Sequence, residues 1–215
     1  MAALELGPQG LSSRLDWREG LPLMVTPRVV LRELRRSDAP ALCRVARSPE
    51  VARHSWPAPT TIEAFERFIE WSWAERAAGK YTCFGVVPRD SITAAGIFEL
   101  RPLQPGFFRA ELGFFIDRSL WGTGVFQDGA RLMADFAFQS VGVHRIEVRA
   151  SVANVRSNAA MRKIGAQKEG LLRAAFVHDG QFEDQYLWSL VNGIDRVQLP
   201  RPRTNSDAVL MPVGG

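Results

Sequence analysis

The chain is poor in the residues that build several kinds of site. It has only two cysteines, Cys43 and Cys83, in 215 residues. Two thiols make no disulfide framework and are expected to stay reduced, as in a cytoplasmic protein. The three histidines, His54, His144 and His178, lack metal-ligand spacing, so no metal site is expected. No apolar run approaches the length of a membrane span. The N-terminus has no basic stretch leading into an apolar one, so no secretory signal is expected either. Long runs of one charge are also missing. A net charge of +4 suits a polyanionic small ligand but gives poor support for nucleic-acid binding. There is no internal repeat. What remains is 46% hydrophobic and 23% charged, the balance of one globular domain with room for a full core.

The richest stretch runs from Glu111 to Ser157. Ala110-Glu-Leu-Gly-Phe-Phe-Ile116 reads as a strand and leads into Leu120-Trp-Gly-Thr-Gly-Val-Phe126. A helical pattern continues to about Gly142, a strand covers Arg145–Ala150, and Asn154-Val-Arg-Ser157 follows. A strand that ends in closely spaced glycines and opens a helix presents bare backbone N–H groups, and the helix dipole favours negative charge there. Phosphate is the expected ligand of Trp121, Gly122, Thr123, Gly124, Val125 and Phe126. A P-loop is excluded, because its four-residue gap and following Gly-Lys-Ser/Thr are absent. The dinucleotide fingerprint is excluded because Gln127 stands where its third glycine belongs.

The rest of the chain supplies a scaffold. Residues 1–24 lack periodicity and read as an N-terminal extension, 25–195 as one domain, and 196–215 as a Pro-rich tail that is flexible or packed across a neighbour. Val29–Leu34 alternates as a first strand, and Ser37-Asp38 caps a helix carrying Leu42, Val45 and Ala46 inward. The pattern predicts a helix over Ile62–Ala78, with Ile62, Phe65, Phe68, Ile69 and Trp73 on one stripe. Tyr81–Val87 and Ile92–Leu100 read as a hairpin, and Phe108–Ile116 as the fourth strand. The helix from Gly124 turns Val125, Leu132, Met133, Phe136 and Ala137 inward. A short helix spans Val155–Ile164. A sixth strand begins near Ala166, and Glu183–Val191 is the last. A meander followed by a β-α-β unit predicts a mixed α/β fold with helices on both faces of the sheet.

This order resembles the GNAT acetyltransferase superfamily, and within it the RimJ/RimL-like branch that acetylates protein N-termini. The resemblance rests on Glu111-Leu-Gly-Phe114, Leu120-Trp-Gly-Thr-Gly124, Ala137-Phe138, Gly142-Val-His-Arg-Ile146, Asn154-Val-Arg-Ser157, Arg162-Lys-Ile-Gly165, Lys168-Glu-Gly-Leu-Leu-Arg173 and Asp184-Gln-Tyr-Leu-Trp-Ser-Leu190. Each motif is weak alone, and their shared order from Thr26 to Leu190 is what counts. The resemblance implies a mostly antiparallel sheet of six or seven strands, with a splay between the fourth and fifth. It implies an acetyl-CoA-dependent N-acetyltransferase that transfers directly, without an acyl-enzyme. The acceptor expected is a protein or peptide α-amine. The alternatives are a small amine, such as a polyamine, amino compound or antibiotic, or an inactive acyl-CoA-binding regulatory module. A homodimer is among the expectations.

The resemblance also assigns roles. Backbone N–H groups of Phe114, Phe115 and Ile116 would polarise the thioester carbonyl, a large term where negative charge develops. Glu111 is the candidate general base, directly or through one water, with Glu99 in reserve. The competing reading of Glu111 is a strand glutamate facing solvent or an arginine. Asn154 would contact the pantetheine arm, and Ser157 would protonate the departing sulfur. Asn is also a favoured helix cap, and Asn154 can do both. Arg156, like Arg162 and Lys163, could meet the cofactor phosphates. Trp56 and Trp71 lie in the segment that lines the acceptor pocket in relatives. Two departures stand out: Phe126 replaces the family's small residue, and Ala174-Ala-Phe176 replaces a segment where some relatives carry a late glutamate.

Overall fold

The computed structural model describes residues 16–54, 58–178 and 180–193. Trp56 and the tail 196–215 lie outside the described residues. The strands are β1 (Met24–Val25), β2 (Val29–Glu33), β3 (Thr82–Pro88), β4 (Gly96–Pro102), β5 (Arg109–Ile116), β6 (Arg145–Ser151), β7 (Gln167–His178) and β8 (Gln181–Val191). They form one eight-stranded sheet in the order β1-β2-β3-β4-β5-β6-β8-β7. Among the described residues, only β5 and β6 run parallel. The seven strands of the sequence reading are all present, and the eighth is the two-residue edge β1 paired to Leu31 and Val30. The expected fourth and fifth strands are therefore β5 and β6.

Helices α1 (Ala39–Ala46), α2 (Pro49–Ala52), α3 (Ile62–Ala77), α4 (Val125–Phe136) and α5 (Val155–Lys163) lie between the strands. Thr61 caps α3 by accepting a hydrogen bond from the Ala64 amide at 3.1 Å. A π-helical turn, Ala137–Val141, extends α4 and ends at Gly142 in a left-handed conformation. One core joins α4 and Met161 of α5 to Phe84, Phe98, Leu112, Ile146 and Trp188. A second joins α1 and α3 to Leu34, Cys83, Ile97 and Phe115.

Three expectations shift. Ile62 at the start of α3 is exposed, and Ser72 is buried on the same helix, its hydroxyl donating to the Ile69 carbonyl at 2.7 Å. Leu132 is only partly buried. The second hairpin strand begins at Gly96 rather than Ile92, because Asp38 takes the preceding segment. Its carboxylate accepts from the Ala94 amide at 3.0 Å and from Arg32 at 2.8 and 2.9 Å. Arg32 also donates to the Ile92 carbonyl, so the Ile92 side chain is left in solvent.

The feature that makes a site is the divergence of β5 and β6. They pair over Arg109–Glu111 and Arg145–Glu147 only. Beyond that, β5 continues beside β4 to Ile116, and β6 continues beside β8 to Ser151. Charge closes the paired end: Glu147 is buried between Arg109 and Arg145, at 2.5 and 2.9 Å. Neither arginine lies at the splayed end.

Candidate active site

A cavity of about 930 Å³ occupies the splay. β4 and β5 form one wall, β6 and α5 the other, and α2, α3 and the β7–β8 hairpin reach its mouth.

At one end stands the glycine turn. Gly122 and Gly124 both hold left-handed φ, +80° and +91°, which glycine adopts without a Cβ penalty. Gly124 is the N-cap of α4, and the helical ladder starts with the Asp128 amide donating to its carbonyl at 3.1 Å. The first-turn amides of Phe126 and Gln127 therefore have no intrahelical acceptor. The Val125 amide leans on Thr123 Oγ1 at 3.4 Å. The cavity touches Trp121, Gly122 and Phe126 but stops short of Thr123, Gly124 and Val125.

Phe126 does not spoil the turn, because its ring points into the core. It packs on Phe114 at 4.7 Å and Phe98 at 5.7 Å between centroids. Gly129, one turn later, makes room for this cluster: a Cβ there would sit 2.5 Å from the Phe98 ring.

Along β5, strand alternation decides which amides face the splay. The Asp117 amide bonds the Ala95 carbonyl across to β4. By period two, Phe115 also faces β4, whereas Phe114 and Ile116 face the gap. Two of the three expected amides are thus on the cleft side. The Ile116 carbonyl, on that side too, accepts from Trp121 Nε1 at 3.0 Å.

Opposite them α5 begins. Asn154 is its N-cap, with Oδ1 accepting from the Ser157 amide at 2.9 Å. Asn154 and Ser157 both line the cavity. Arg156 lies over the Trp121 ring, 4.5 Å from its centroid, so it spans the splay. Asn158, which the sequence did not single out, locks this turn. It donates to the Ser151 and Asn154 carbonyls and accepts from Trp188 Nε1, each at 2.9 Å.

At the other end two carboxylates share one face of the sheet. Glu111 lines the cavity, but its Oε2 accepts from Arg101 at 2.8 Å. Glu99, two residues back on β4, is 9% exposed and also lines the cavity. The buried Tyr81 hydroxyl donates to it. Burial pushes the Glu99 carboxyl above the usual range, outweighing the Tyr81 hydrogen bond and the more distant Arg101 charge. Gly113 faces Glu99 in register, and a Cβ there would meet Glu99 Oε1 at 2.4 Å. Trp71 lines the same end at 48% exposure, its ring 4.9 Å from that of Tyr81.

Tyr81, Gly113 and His54 were not picked out as site residues from the sequence. His54 lines the cavity with Nδ1 buried and unpartnered among the described residues. Burial first, and then Arg53, lower its pKa. The Ala174 segment reaches the site through a β-bulge. Ala174 takes φ +49°, its amide donating to Asp184 at 2.8 Å, and Ala175 and Phe176 line the cavity. Among the described residues, no group of three or more His, Cys, Asp or Glu could hold a metal, and no helix is long and apolar enough to cross a membrane.

Such a cleft can hold an anion at the α4 turn, donate backbone hydrogen bonds to a carbonyl along β5, and offer carboxylates to an amine. Known proteins share the frame. N-acetyltransferase p20 of Bacillus licheniformis, itself uncharacterized, is 27% identical over 78% of this chain and 95% of its own. The ribosomal-protein-S5-alanine acetyltransferase from Vibrio fischeri superposes with a TM-score of 0.73 at 18% identity, over 80% of this chain and 97% of its own. RimJ from Mycobacterium smegmatis, in complex with CoA-disulfide, gives 0.68 at 22% identity, over 76% and 82%. The model of the acetyltransferase (GNAT) domain matches residues 28–167, well over half of the sequence. The chain therefore belongs to the GNAT acetyltransferase family and is an acyltransferase.

Proposed function

We propose that the protein moves an acetyl group from acetyl-CoA directly to a primary amine, and that its acceptor is the α-amine of a protein or peptide. The observation that carries this reading is the splay itself. It brings the cleft-facing strand residues Phe114 and Ile116, Trp121 and Gly122 of the turn before α4, and the Asn154–Ser157 cap around one cavity. Acetyl-CoA supplies an activated thioester carbonyl. The chain's part is to hold the pyrophosphate with the amides at the start of α4. Phe114 or Ile116 donates to the carbonyl oxygen, and Ser157 gives the departing sulfur a proton. The amine must lose a proton, and the strand wall of the cavity offers two carboxylates: Glu111, singled out by its place on β5, and Glu99 beside it. The likeness to ribosomal-protein acetyltransferases supports an α-amine acceptor.

The test is thiol release from acetyl-CoA with a panel of free-amine peptides and small amines. Release with a peptide supports the reading, and release with small amines alone moves the acceptor class. Coenzyme A binding without release from any amine leaves an acyl-CoA-binding module. Gly124→Asp should weaken coenzyme A binding at least about tenfold by calorimetry, ~1.4 kcal/mol, since a carboxylate and a Cβ would enter a left-handed turn built for an anion. Ser157→Ala should lower kcat more than affinity, because sulfur protonation matters only as the bond breaks.

A further inference from the structure

Among the described residues, no cation is ion-paired to the buried carboxylate of Glu99. Every other carboxylate named at the cavity has one: Glu111 is held by Arg101 and Glu50 by Arg118. Glu99 has the Tyr81 hydroxyl on Oε2, and Oε1 lies over the missing side chain of Gly113. A carboxylate that is taken out of water without a counter-charge is costly unless function supplies the partner. The ligand that brings a positive charge to this cavity is the acceptor, because a primary amine is mostly protonated at neutral pH.

We propose that Glu99, held by Tyr81, receives the acceptor's ammonium group and takes its proton, while Glu111 serves to hold Arg101. This rests on the acetyl-transfer reading and names the group that the reading leaves open. The balance is simple. The ammonium N–H bond breaks, and its proton passes to a carboxylate oxygen of Glu99. The freed lone pair forms the N–C bond to the thioester carbonyl, the C–S bond breaks and the sulfur leaves with the Ser157 hydroxyl proton, and the second proton that the nitrogen sheds on becoming an amide restores the Ser157 hydroxyl. Glu99 then returns its proton to solvent. The raised pKa supports the role, since a base poised nearer to working pH accepts a proton more effectively. The titratable groups facing Glu99 are Tyr81 and Cys83 from the β3 side, Arg101 on β4 and Glu111 on β5. Across the cavity stand Glu50, Arg53 and His54. Trp71 beside Tyr81 adds an aromatic face on which a cation can rest.

The experiment is the pH profile of kcat/KM for thiol release from acetyl-CoA, for the full chain, with two peptides whose α-amines differ in pKa. An acid limb that does not follow the amine belongs to the enzyme. That limb should vanish in Glu99→Gln, with turnover cut on the order of a hundredfold and the deficit shrinking as pH rises. In Tyr81→Phe the carboxylate loses the hydrogen bond that favours its charge, so the limb should move to higher pH. In Glu111→Gln the limb should stay where it is, whatever happens to its height. A limb that survives in Glu99→Gln, or disappears in Glu111→Gln, overturns the proposal. Tyr81→Phe decides the matter should Glu99→Gln fail to fold. Calorimetry of a small alkylammonium ion with the coenzyme A complex gives a reading independent of turnover. Binding should be at least about tenfold weaker in Glu99→Gln, and equal binding sinks the ammonium site. Absence of thiol release in the wild type would instead remove the acetyl-transfer reading, with the calorimetry still deciding the site.

Discussion

Asp38 and Glu99 are both buried carboxylates, and they shift in opposite directions. Asp38 is fully enclosed and meets burial with a bidentate Arg32 and the amides of Arg35 and Ala94. Burial raises its pKa, but these partners outweigh it and the net shift is downward. Glu99 has one phenol donor, burial wins, and the shift is upward. The first is a knot: it ties β2, the start of α1 and the β3–β4 loop together. The second leaves an unmet demand at a cavity wall. Burial alone therefore does not tell a structural acid from a reactive one; the number of partners does.

The contrast can be broken at either member. The largest effect is expected at Asp38→Ala, which strands Arg32 with its side chain 10% exposed. Urea unfolding should show a loss of about 3–5 kcal/mol, and a loss below about 1 kcal/mol would deny the knot. The pH dependence has opposite signs at the two sites. The Asp38 contribution is present above its unfolded pKa and is lost as pH falls through the depressed folded value. At Glu99 the folded state binds the proton more tightly, so stability is lost as pH rises from the ordinary carboxylate range through the raised value. Glu99→Gln should therefore gain stability over wild type as pH rises, while Asp38→Asn loses most at neutral pH. Thermal melts across pH 3 to 8 for both variants check the signs, and parallel curves would erase the distinction. The smallest effect is at Gly113→Ala. Its Cβ must displace Glu99 Oε1 and Cγ, at 2.4 and 2.8 Å, so kcat should fall about tenfold, ~1.4 kcal/mol, with coenzyme A affinity kept.

Much of this frame was legible because it is written in short-range pattern. The glycine turn, the Asn154 cap and the alternating strands depend on neighbours within a few residues. The pairing of Tyr81 with Glu99 does not. It needs the register of β3 against β4, where Cys83 faces Glu99, and the displaced start of β4 that Asp38 enforces from fifty-six residues away. Gly113 read as a motif glycine, but its meaning lies on the adjacent strand. Ala174 stood out only as a departure from the family, with no sign of its left-handed backbone, since that conformation is held by the Asp184 side chain ten residues on. Phe126 looked like a flaw in the turn until its partners Phe98, Phe114 and Gly129 were in place.

Trp17 lies outside the stretch where family likeness begins, and outside the domain as the sequence divides it. Yet it is 6% exposed, meets Phe107 edge-on at 5.7 Å between centroids, and is followed by a backbone carbonyl, that of Arg18, which Arg76 at the end of α3 grips. A boundary drawn by likeness is a statement about ancestry, and a boundary drawn by burial is a statement about energy. Trimming the chain at Arg28 would peel off an indole that the core was built around. Limited proteolysis would find residues 16–23 as resistant as the sheet they strap.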